Sequence, residues 1–170
     1  KMNLSKDASE ILDILLLTNA HYPTTNISKD QFLELKSNWL IKNSNLQLIK
    51  KYLLKNQMIN EHPKLTRMLV DDYLSNSEIK KACEIFFKTQ DPIQDNYLSK
   101  FNIYCLINND KKEEAQLLLD LKKEIGFEEK FYEKKIIFLM GYTNQPNIEI
   151  SENTILDFHL SHRTNPQFKF

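Results

Sequence analysis

A chain of 170 residues can bury about two-thirds of the surface its unfolded form exposes, and its 23 basic and 23 acidic side chains cancel. That balance excludes the electrostatic footprint of a nucleic-acid or anionic-membrane binder. Two glycines and five prolines supply few positive-φ turns, which disfavours sandwiches and barrels and permits long helices.

Apolar residues recur at helical spacing almost throughout. Ile11, Leu12, Leu15 and Leu16 stripe a first predicted helix over 6–20, ended by the proline-bearing turn HYPTTN. A second spans 29–43, with Ser28 as N-cap, Gln31 completing a capping box, and Ile27 and Phe32 as the hydrophobic staple. Phe32, Leu35 and Trp39 mark its expected buried side. The third, 45–56, carries Leu46, Ile49 and Leu53 on one side. His62-Pro63 opens the fourth, 63–75, since proline is tolerated in a first turn. Its stripe is Leu65, Met68, Leu69 and Tyr73. Further helices are expected over 77–89, 95–108, 111–125, 128–141 and 152–163, the last capped by Ser151. Gly126 and Gly141 stand where helices should stop in a left-handed C′ residue. The fold class predicted is all-α, with about nine helices and no strand.

Cys83 and Cys105, sparse and in apolar surroundings, read as core thiols rather than a disulfide. They leave the compartment undecided. No run approaches the ~20 apolar residues of a membrane span, and no charged and apolar leader opens the sequence.

A period of 33–34 residues runs through the middle of the chain. Leu69, Tyr73, Ala82 and Phe86 correspond to Leu35, Trp39, Leu48 and Tyr52 before them, and to Asn102, Leu106, Ala115 and Leu119 after. These positions resemble the tetratricopeptide repeat, a helix-turn-helix unit of about 34 residues. The match is degenerate: Lys36, Val70 and Ile103 replace the small residue of the first helix, Leu48 the alanine and Asn102 the leucine. The resemblance covers 29–125 and implies antiparallel hairpins over 29–56, 63–90 and 95–125, stacked as a short right-handed α-solenoid like those of bacterial helical-repeat proteins. A longer period of 123 sets 14–35 against 137–158, pairing Pro23, Ile27, Ser28 and Leu33 with Pro146, Ile150, Ser151 and Leu156. Residues 1–170 are thus expected to be one helical-repeat domain, a segment of a longer array, with an apolar patch exposed at one end and available for end-to-end self-association.

Candidate chemistry is thin. His159 and His162 share a helix face beside Asp157, suiting a metal geometrically. No third ligand stands at a fixed distance, so they are read as polar residues at a helix C-terminus. His21 and His62 lie in or beside turns and are assigned solvent or capping roles. Asp71-Asp72 and Glu113-Glu114 point about 100° apart and make no catalytic dyad. No phosphate-cradling glycine loop, nucleophile elbow or zinc signature occurs.

The function expected is a non-enzymatic scaffold or protein-protein interaction module that takes a protein or peptide partner and needs no cofactor or metal. By the resemblance, Asn38, Arg67, Asp71, Lys100 and Asn102 on the solvent side of the first helices would contact that partner. The alternative is an α-superhelical accessory domain of a larger bacterial cell-envelope enzyme whose catalytic residues lie elsewhere.

Overall fold

The computed structural model describes residues 4–18, 21–43, 46–56, 59–87, 89 and 91–168. The expected end of the first helix at 19–20, the expected start of the third at 45 and residues 88 and 90 of the second hairpin lie outside them. Among the described residues there are nine α-helices and no strand. In chain order they are α1 (Lys6–Leu16), α2 (Lys29–Asn43), α3 (Leu46–Asn56), α4 (Pro63–Ser75), α5 (Ile79–Glu84), α6 (Asn96–Asn108), α7 (Lys112–Glu124), α8 (Lys130–Leu139) and α9 (Ile155–Thr164).

Local chemistry explains most boundaries. The Ser28–Gln31 capping box is present: the Gln31 N–H donates to Ser28 Oγ at 3.2 Å, and the Ser28 N–H donates to Gln31 Oε1 at 3.0 Å. Four helices end alike. In α4, the Glu78 N–H donates to the Tyr73 carbonyl and the Ser77 N–H to that of Leu74, with Ser77 at φ 58°. The pair recurs after α6 at Asp110, after α7 at Gly126 and after α8 at Gly141. This is the Schellman ending. The glycines announced it; Ser77 and Asp110 adopt positive φ without being glycine.

Several expectations are corrected. Helix α5 is six residues long, because its chain continues as three-residue turns in which Ile85, Phe86 and Thr89 donate to Ala82, Cys83 and Phe86. The cap of α9 is Thr154, whose hydroxyl accepts from the Asp157 N–H at 3.0 Å. Ser151 instead exchanges hydrogen bonds with Ser161. Ile150, the counterpart of the staple residue Ile27 at the longer period, is exposed, as is Ile155. The side of α2 that is buried holds Leu33, Lys36, Ser37 and Leu40, while Leu35 is exposed.

Cys83 and Cys105 are joined in a disulfide, not left as thiols. It ties α5 to α6 inside the core, both residues being buried. Helix α6 lies at the centre, buried through Leu98, Phe101, Tyr104 and Cys105 on several sides. It packs against α4, α5 and α7.

Helices α4 and α5, and α6 and α7, form packed hairpins. Helix α9 contacts α8 and also α4. A strictly one-dimensional array joins each unit only to its neighbours, so this contact departs from it. Leu156 and Leu160 of α9, both fully buried, drive that docking by removing apolar surface from water.

Candidate functional site

Three polar arrangements and one apolar face stand out. The first is a tie that recurs between successive hairpins. Lys29 of α2 pairs with Glu61, just ahead of α4, at 2.6 Å. Arg67 of α4 pairs with Asp95, the N-cap of α6, at 2.7 Å. Lys100 of α6 pairs with Glu129, the N-cap residue of α8, at 2.6 Å. Lys135 of α8 donates to the carbonyls of Asn147 and Glu149, ahead of α9, at 2.7 Å each. Each cation also lies over a ring, of Tyr22, Tyr97, Tyr132 and Phe131 respectively. A cation on one helix thus meets the segment ahead of a later one, where carboxylates suit the helix dipole and, before α9, where two backbone carbonyls accept.

That tie decides where the expected partner-contacting residues lie. Arg67 and Lys100 hold neighbouring hairpins together. Asp71 is half-buried and accepts a hydrogen bond from the Tyr97 hydroxyl, so it is not solvated surface. Burial holds the Asp71 carboxyl above its ordinary range, against the opposing pull of Tyr97 and Arg67. Leu156 of α9 offers its backbone N–H to the same tyrosine. Arg67 and Asp71 therefore lie along the α4–α6 seam, and Lys100 along that between α6 and α8. Asn38 is exposed on α2. Asn102 faces elsewhere, into a cavity of about 630 Å³ between α5, α6 and α7 that Cys105 also lines. The five do not form one surface.

The second arrangement is a sealed network. Lys36 Nζ donates to the Tyr52 hydroxyl at 2.7 Å; that hydroxyl lies 2.9 Å from His62 Nε2, and His62 Nδ1 lies 3.3 Å from Ser37 Oγ. Lysine has only hydrogens to give, so the Tyr52 hydroxyl accepts from it. Burial, with Lys36 beside it, pushes His62 down to about 4. Burial likewise lowers Lys36 and raises Tyr52 to about 12. His62 has no exposed surface, which overturns its assignment to solvent; it stands at the N-cap of α4, though its side chain does not cap. A serine and a histidine meet here among buried side chains.

The third is a cleft of about 820 Å³ between the α4–α5 turn and α9. His159, His162 and Arg163 line it with Glu152, opposite Leu74, Ser77 and Ile79. The Tyr104 hydroxyl lies 2.9 Å from His159 Nε2, and the rings meet edge to face. Burial, followed by the charges of Arg163 and His162, pushes His159 down to about 4. Among the described residues no group of three metal-binding side chains assembles.

Comparison with known proteins does not supply a family. No protein-family model, no curated protein and no solved structure matches this chain. The residues themselves carry what can be said of function.

The apolar face belongs to α1. Ile11, Ile14 and Leu15 share one side of that helix and are exposed by 59%, 64% and 60%. The stripe expected to be buried is covered only at Leu12 and Leu16. No helix among the described residues is long and apolar enough to cross a membrane.

Sequence reasoning paired the two histidines of α9 by spacing but missed Tyr104, 55 residues away from His159. The Lys36–His62 network had one legible signal: a lysine standing where a repeat of this kind takes a small residue.

Proposed function

We propose that the chain is a non-catalytic interaction module of stacked helical hairpins, arranged as a short right-handed solenoid, that docks a protein partner on the outer face of α1. The observation carrying this is the exposed Ile11–Ile14–Leu15 stripe, since contiguous exposed apolar surface favours association. The repeated inter-hairpin ties support it by making the stack a stiff base. The sealing of the Ser37–His62 pair supports a role without catalysis by those residues. A selection of phage-displayed peptides against the protein, followed by fluorescence anisotropy, tests this. Binding that survives in the Ile14→Lys/Leu15→Glu variant, with its urea midpoint unchanged, would sink the assignment of that face. Covering by a second copy would instead appear as concentration-dependent sedimentation, abolished by the same variant.

A second reading, an accessory domain of a larger cell-envelope enzyme, is favoured by one observation. Disulfides persist in oxidising compartments, and Cys83 and Cys105 form one. Trapping both thiols by alkylation in intact cells tests it: free thiols would count against an envelope location.

A further inference from the structure

The cleft between α4 and α9 has a chemistry the α1 face does not share. Arg163 stands against the Tyr104 hydroxyl and has only N–H groups to offer it. The hydroxyl lies 2.9 Å from His159 Nε2. No protein partner among the described residues meets the other ring nitrogen, Nδ1. Arg163 has no carboxylate within ion-pair distance among the described residues. A guanidinium without a carboxylate partner and a ring nitrogen without a protein partner thus border one cavity.

Leu74, Ile79, Ile155 and Phe158 give the lining its apolar part, beside Ser75, Ser77, Thr154, Glu152 and His162. The volume of about 820 Å³ lies within the range of small-molecule sites, which pair apolar walls with a few fixed polar groups. Beside Arg163 the lining offers no second permanent cation, and Glu152 adds a negative charge at the cleft. That balance suits a monoanion and opposes a dianion such as a phosphate monoester. The planar guanidinium matches a carboxylate's two oxygens.

We propose that this cleft binds a small amphipathic carboxylate, with its head on Arg163 beside the His159 ring and its apolar body on Leu74, Ile79, Ile155 and Phe158. This site is independent of the partner face on α1.

The test is calorimetric titration of the full chain with 4-phenylbutyrate, its neutral amide 4-phenylbutanamide, and inorganic phosphate. The acid is expected to bind, and the amide about tenfold or more weaker, because a charge-assisted pair is lost. Arg163→Gln should bring the acid down to the level of the amide, and Phe158→Ala should weaken acid and amide together. Lys80→Gln, on exposed α5 surface outside the cleft, should change neither. Should Arg163→Gln not fold, Arg163→Lys keeps the charge and loses the fork, and must weaken the acid alone. Equal affinity for acid and amide, phosphate binding as well as the acid, no binding of the acid at millimolar concentration, or an unaffected Arg163→Gln overturns the proposal. An Ile14→Lys/Leu15→Glu variant retains acid binding, which separates this outcome from that of the partner face.

Discussion

Arg67 of α4 holds Asp95 through a hydrogen bond, Nε to Oδ1 at 3.0 Å, and an ion-pair contact, Nη2 to Oδ2 at 2.7 Å. The same Oδ1 accepts the Leu98 N–H at 3.0 Å and caps α6. One carboxylate thus starts a helix and fastens it to the preceding hairpin. Asp95→Ala should cost about 1–2 kcal/mol through the lost cap. Asp95→Asn, which can still cap, should cost about 1 kcal/mol or less, because the Arg67 side chain is 45% exposed and its ion pair is screened. Urea denaturation of both variants checks the order; equal losses would show that the cap contributes nothing.

Reduction of Cys83–Cys105 should destabilise the fold by about 3 kcal/mol, the value for closing a loop of this size, given a sequence separation of 22. The urea midpoint with and without reductant measures it. A Cys83→Ala/Cys105→Ala variant should be indifferent to reductant.

Acid should weaken the fold through two histidines. His62 and His159 have folded values near 4, below the ordinary ~6.5 of an unfolded chain. The unfolded state therefore takes up protons first as pH falls. Their contribution is fully present above about pH 6.5 and is lost between there and about pH 4, at roughly 3 kcal/mol each. Stability measured across that window should rise with pH. His62→Gln should remove part of the slope, and an unchanged slope in the His62→Gln/His159→Gln variant would contradict the assignment.

Lys135 fastens the segment ahead of α9 through two backbone carbonyls. Lys135→Met keeps a long apolar stem but leaves both carbonyls without this donor, at about 1–3 kcal/mol. Hydrogen exchange should accelerate at amides of 147–151, including that of Ser151, while the amides of α6 stay protected.

Helical spacing, the Ser28–Gln31 box and the two glycines determined where the helices lie, because caps and periodicity act within a few residues along the chain. The bounds of α2 and α4 follow directly from them. Tertiary structure alone decided the Cys83–Cys105 bond, the burial of His62 and the meeting of Tyr104 with His159. Each depends on side chains distant in sequence, and their pairing is set by how hairpins cross, which a periodic apolar pattern leaves open. The exposed stripe of α1 makes the same point in reverse: a helix can be amphipathic by sequence and still keep much of its apolar side uncovered.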